Sequence, residues 1–149
     1  MDIKNSGPYL KMAIFCEKVL EEKDGVLSAI RIVDRMNITA GQDGPEIMPL
    51  MAINFYGLFS FRAGKARGKY TMKISPRTPS GGDMPEFSVP VMFEGEEDSG
   101  ANVIINMSIQ VKEEGLYWFN ILLNEEVVTR VPLRIVYQKM KIETSIDLS

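Results

Sequence analysis

Apolar and polar residues alternate with a period of two along most of this chain, and the 3.6-residue period of an amphipathic helix is weak throughout. The clearest run sets Val103, Ile105, Met107, Ile109 and Val111 against Asn102, Asn106, Ser108, Gln110 and Lys112. A second is Lys69 to Ser75, where Tyr70, Met72 and Ile74 alternate with Lys69, Thr71 and Lys73. Phe87 to Glu94 places Phe87, Val89, Val91 and Phe93 together, and Leu50 to Arg62 does the same for Met51, Ile53, Phe55, Phe59 and Phe61. Tyr9 to Leu20 puts Leu10, Met12, Ile14 and Cys16 on one face. Val26 to Met36 is expected to turn Val26, Ile30 and Ile32 inward, with Ser28 and Asp34 sharing their parity as satisfied buried polar groups in preference to the alternative, a shallow site that they face. The last two runs are Leu116 to Asn124 and Val127 to Tyr137, joined by the tight turn Asn124-Glu125-Glu126.

Between the runs the punctuation is rich in Gly and Pro, above all Gly41 to Pro45 and Pro76 to Gly82. Pro90 and Pro132 fall inside strand runs, which predicts edge or bulged strands there. About eight short strands at this spacing predict an all-β fold, a two-sheet antiparallel β-sandwich of immunoglobulin-like, Greek-key type. Glu17 to Lys23 is the one helical possibility, and it is short. The domain is expected over 1–137, with 138–149 a polar tail that is disordered or held by a partner.

Composition narrows the chemistry. The chain has 149 residues, 45% apolar and 25% charged, the profile of one globular domain. Its net charge of −3 and the lack of a long Lys/Arg run argue against nucleic acid. No apolar stretch is long enough to span a bilayer, and Met1 to Asn5 opens no signal-peptide core, so a cytoplasmic protein without membrane contact is expected. The one cysteine, Cys16, cannot form an intrachain disulfide and reads as a small buried hydrophobe. Histidine is absent, which excludes Ser-His-Asp and Cys-His nucleophilic sites and His-ligated metals. Ser80-Gly81-Gly82-Asp83 lacks the lysine and helix of a phosphate-binding loop. No cofactor is expected.

If every run crosses the whole sandwich, alternate loops share an end. Glu21 to Gly25, Arg62 to Lys69, Gly95 to Asp98 and Glu125-Glu126 then meet at one end. Two readings follow. Glu22, Asp24, Glu96, Glu97 and Asp98 are candidate calcium ligands, because Ca²⁺ takes several hard oxygens from flexible loops. The same end suits a carbohydrate or other small ligand. A hydrolase using paired carboxylates, such as Asp24 with Glu97, is the weakest reading, since that chemistry needs two carboxyls about 5–10 Å apart in a cleft. The plain alternative is a solvated rim of charge.

The outward parities hold the stronger signal. Leu116, Trp118 and Leu122 lie on the face of their run opposite Tyr117, Phe119, Ile121 and Leu123; Tyr56 and Leu58, and separately Met92, are also expected outward. A surface Trp flanked by Leu is the kind of anchor protein interfaces use. Leu116, Trp118, Leu122, Tyr56 and Met92 are therefore candidate interface residues.

Glu113-Glu114-Gly115-Leu116-Tyr117-Trp118-Phe119 resembles the tyrosine corner of immunoglobulin-like sandwiches, with Tyr117 turning its hydroxyl onto the backbone upstream and Phe119 where the second core cysteine stands. Ala13-Ile14-Phe15-Cys16-Glu17, Asp24 to Ala29, Asp34-Arg35, and Gly115-x-Tyr117-x-Phe119 with Pro132-Leu133-Arg134 also resemble an uncharacterised bacterial domain family. That resemblance implies a compact β-domain and brings no site residues. The expectation is a non-enzymatic interaction or assembly module, acting through a sheet face or an edge strand on a protein partner or a second copy.

Overall fold

The computed structural model describes residues 6–140. They form nine strands: β1 (Tyr9–Glu21), β2 (Leu27–Ile32), β3 (Arg35–Ala40), β4 (Met51–Arg62), β5 (Gly68–Arg77), β6 (Phe87–Phe93), β7 (Gly100–Val111), β8 (Gly115–Leu123) and β9 (Glu126–Lys139). One sheet has the order β2-β1-β4-β7 and the other β3-β9-β8-β5-β6. All neighbours are antiparallel except β3 and β9. Pairing of β4 with β7 in one sheet, and of β5, β8 and β9 in the other, reproduces the B–E and C–F–G pairings of the immunoglobulin sandwich.

The alternating runs become the inner faces of the two sheets. Ile53, Phe55, Phe59 and Phe61 of β4 and Met107, Ile109 and Val111 of β7 meet Met72, Ile74, Val91, Phe93, Tyr117, Phe119, Ile121, Leu133 and Ile135 from the other sheet. At the centre, Phe119 packs edge-to-face on Phe15 (ring centroids 4.8 Å apart) and on Phe55 (6.0 Å). Each such pair adds about 0.5–1.5 kcal/mol beyond area burial. This aromatic cluster occupies the place where an immunoglobulin domain has its inter-sheet disulfide.

Several expectations change. The run Val26 to Met36 breaks at Val33-Asp34. Val33 N–H donates to Phe15 O (2.8 Å), the last bond to β1, and Asp34 O then accepts from Arg134 N (2.9 Å), the first bond to β9. One expected strand thus becomes two, in different sheets. Val26, Ile30 and Ile32 are exposed rather than inward, at 59%, 38% and 65%. Ser28 is half-buried and Asp34 exposed, so neither is a buried polar group. A bulge between Leu10 and Met12 returns Leu10 to the core and leaves Met12, Ile14 and Cys16 on the outer side. Pro90 does lie on an edge strand, β6, but β9 is internal. Pro132 is tolerated there because β3 pairs with β9 only from Arg134 onward, so nothing calls for a Pro132 N–H. Of the expected tail, Gln138 and Lys139 belong to β9, and 141–149 fall outside the described residues.

The register and the recesses show which loops lie near one another. Tyr9 lies opposite Arg62, so the 63–67 loop is at the end where β1 starts, and the β1–β2 hairpin brings Gly25 and Val26 back into a recess that Leu58, Arg62 and Asn102 also line. Residues 94–99 join the 63–67 loop, through Ala63 N–H to Ser99 O (2.7 Å) and Gly64 N–H to Glu97 O (2.9 Å).

Candidate functional site

The tyrosine corner sets the position of β8. Gly115 adopts φ +128°, a conformation that L side chains rarely take, and a Cβ there would meet Pro79. The chain turns, and the Tyr117 hydroxyl donates to Glu113 O at 2.6 Å. Burial pushes the Tyr117 hydroxyl above its usual pKa of 10.0, offset in part by that bond. Glu114 Oε1 accepts from Tyr137 N (2.6 Å), tying the corner to β9. With Tyr117 and Phe119 held inward, Leu116, Trp118, Asn120 and Leu122 must face out.

The outer face of the five-stranded sheet can be followed row by row from the register. Leu116 lies opposite Arg134, and Arg134 opposite Arg35. Trp118 lies between Pro132 and Arg77, and Asn120 between Arg130 and Ser75. Leu122 is flanked by Val127 and Lys73. Trp118 is half-buried. The Arg130 guanidinium sits 4.3 Å from its ring centroid, held by a hydrogen bond from Nε to Asn120 Oδ1 (3.1 Å). Beside it, Leu116, Pro132, Arg35, Arg134 and Asp34 line a recess of about 240 Å³.

The strands supply only cations to this face. Arg35, Lys73, Arg77, Arg130 and Arg134 surround the apolar stripe, and the nearby carboxylates reach in from turns. Asp83 pairs with Arg77 (3.0 Å), and Glu125 and Glu86 with Lys73 (2.9 and 3.7 Å). The hydrogen bond that Lys73 Nζ donates to Glu125 Oε1 is the main reason the ammonium is pushed up from its ordinary pKa. Among the described residues Arg35, Arg130 and Arg134 make no salt bridge. This cationic frame went unnoticed in the sequence, although Arg130, Pro132 and Arg134 already share the outward parity of their run.

The candidate interface residues do not form one patch. Leu116, Trp118 and Leu122 share the face just described. Met92 is on the same sheet but on edge strand β6, opposite Lys69 and roughly 25 Å along β5 from the Trp118 row. Tyr56 is on the outside of the other sheet, opposite Cys16 and Asn106. Leu58 points the same way as Tyr56 but is only 2% exposed, in a recess that Met12, Ile14, Leu27 and Ile32 also line. Cys16 is buried, and desolvation raises its thiol pKa, so it is a packed hydrophobe and not an activated nucleophile.

The calcium candidates lie on two separate turns. Glu22 and Asp24 sit at the β1–β2 turn, and Glu96, Glu97 and Asp98 on the 94–99 loop. Among the described residues no three carboxylates gather closely enough to hold a metal ion. Asp24 caps its own turn, its Oδ1 accepting from Val26 N–H (3.1 Å), and Glu97 is exposed on the 94–99 loop.

Comparison with known proteins adds a family and a fold neighbour. A family model described as a family of unknown function (DUF6941) matches residues 11–136. A comparison with curated proteins found no match. Among solved structures, the crystal structure of an immunoglobulin-like protein from Pseudomonas aeruginosa is similar, with a TM-score of 0.40 and 12% identity, over 89% of this chain and 98% of that one.

Proposed function

The chain belongs to DUF6941, a family of unknown function, and we propose that it is a non-enzymatic interaction module that docks an acidic protein surface on the outer face of its five-stranded sheet. The observation that carries this reading is Trp118, half-buried at the middle of that face with Arg130 stacked on it. Leu116, Trp118 and Pro132 offer apolar area. Arg35, Arg77, Arg130 and Arg134 offer planar donors for carboxylates. Trp and Arg are the residues most often found at the energetic centre of interfaces. A chain with net charge −3 that concentrates cations on one sheet face favours an acidic partner over one of its own like-charged flanks. The absence of histidine from the sequence supports the non-enzymatic part of the reading, and the free Cys16 suits a cytoplasmic setting.

Trp118 is the one tryptophan in the chain, so its fluorescence reports on this face directly. The test titrates the protein with a twelve-residue peptide of mixed Glu and Leu, and in parallel with its Lys-for-Glu counterpart. Saturable change in Trp118 emission with the acidic peptide alone, weakened by salt and by Arg130→Glu with Arg134→Glu, is expected. No saturable response up to millimolar peptide, or an equal response to the basic peptide, refutes the proposal.

A further inference from the structure

The four sheet edges are not protected alike. Edge strand β6 contains Pro90 and has seven residues. Edge strand β3 has six residues and starts on Arg35. Edge strand β2 has six residues and is distorted at Arg31, whose φ of 56° and ion pair with Glu17 (2.8 Å) break a flat edge. These are the short length, charge, proline and distortion by which proteins keep sheet edges from pairing with other chains. β7 has none of them. It is twelve residues long, and Gly-Ala-Asn-Val-Ile-Ile-Asn-Met-Ser-Ile-Gln-Val contains no proline and no charged residue. Among the described residues it is hydrogen-bonded to β4 alone, so the backbone groups on its far side have no strand to meet.

We propose that β7 is a self-association edge: two copies pair β7 with β7 in antiparallel fashion about a two-fold axis, giving a continuous sheet with four strands from each copy. Three observations favour a second copy over a foreign strand. An uncharged strand meets its own image without any like-charge pair across the seam. With the axis near Asn106, the outward row matches itself: Asn106 meets Asn106, Ile104 meets Ser108 and Asn102 meets Gln110, all able to pack or hydrogen-bond. The ends are complementary too. Lys112, exposed just past the end of β7, comes to the Gly100 end of the other copy, beside Asp98. Glu113 and Glu114 do not oppose this, since they are engaged by Ser80 Oγ (3.0 Å) and Tyr137 N (2.6 Å). The interface also draws in Ile104, 41% exposed on the outer face. It lies on the other sheet from Trp118, so the two surfaces act independently and either can fail alone.

The test is solution mass by light scattering on the full chain, with circular dichroism to confirm folding. The wild type is expected at twice the 16.8 kDa chain mass. Asn106→Lys, which sets two ammonium groups against each other at the axis, should weaken the dimer at least about tenfold while staying folded. Trp118→Asp should leave the mass unchanged. Single cysteines placed at 104, 106 and 108 test the geometry even where the lysine variant fails to fold. Oxidation should cross-link copies through the position nearest the axis, and buried Cys16 does not compete. A wild type that is monomeric at high micromolar concentration overturns the proposal. So does a dimer that survives Asn106→Lys and cross-links at none of the three positions, or one that Trp118→Asp dissociates.

Discussion

Tyr117→Phe removes one oxygen and leaves the ring, so it isolates the hydrogen bond that closes the corner before β8. The hydroxyl donates to Glu113 O at 2.6 Å, the short end of the O–H···O range, and the side chain is 1% exposed. Losing the donor leaves the Glu113 carbonyl without its hydroxyl partner. Leaving a buried acceptor unmet costs about 1–3 kcal/mol, but Glu113 is half-buried and water can reach part of its backbone. The expected loss is therefore about 1–2 kcal/mol, which for a domain of this size is about 2–8 °C in Tm. The assay is urea unfolding followed by Trp118 fluorescence and far-ultraviolet dichroism. The midpoint should fall while the m-value holds, because the surface exposed on unfolding is unchanged. Tyr137→Phe is the internal control. Its hydroxyl donates to Pro45 O at the same 2.6 Å, but in solvent, and should cost about 0.5 kcal/mol or less. If the two variants unfold at the same midpoint as each other, burial does not set the worth of these bonds. The tyrosine corner is then a by-product of the turn and not what holds it.

Phe119→Ala should cost about 3–5 kcal/mol, since Phe119 is fully buried between Phe15 and Phe55 and its loss opens a cavity at the centre of the core; a midpoint shift under 1 kcal/mol would mean the two sheets close over the gap. Burial raises the pKa of both Cys16 and Tyr117, so their stabilising contribution is complete below the ordinary values of 9.0 and 10.0. It is lost as pH rises past them, because the unfolded chain ionises first; Tm measured from pH 7 to 11 should hold until about 9 and then fall, less steeply in Cys16→Ala or Tyr117→Phe. Millimolar Ca²⁺ should leave Tm unchanged, given that among the described residues no three carboxylates gather closely enough to hold a metal ion; a rise of several degrees, lost in Glu97→Gln, would overturn that.

The inner faces of β4 to β8 could be read from the alternation alone. A strand packed on one side and wet on the other writes its burial into the sequence, and Val103 to Val111 or Phe87 to Phe93 are inward or exposed as their parity says. The first third of the chain did not follow. There β1 is bulged at Leu10/Met12, and the run after it leaves one sheet for the other at Val33-Asp34, with no Gly or Pro to mark the place. A one-residue slip turns every later side chain over, which is why Met12 and Ile32, apolar by type, ended up facing outward. The same unmarked break added a strand.

Local residues thus determined that this chain forms strands, which of their faces are apolar, that a corner forms at Glu113 to Tyr117, and that histidine chemistry is unavailable. Each of these depends on side-chain type and on neighbours a few positions away. Only the tertiary structure decided which strands share a sheet, which edges are left open and which charges meet. Those outcomes arise from hydrogen bonds and register between residues far apart in sequence, such as Leu116 with Arg134 and Arg134 with Arg35. The cationic frame around Trp118 and the bare edge of β7 belong to this second kind, because no single run contains either.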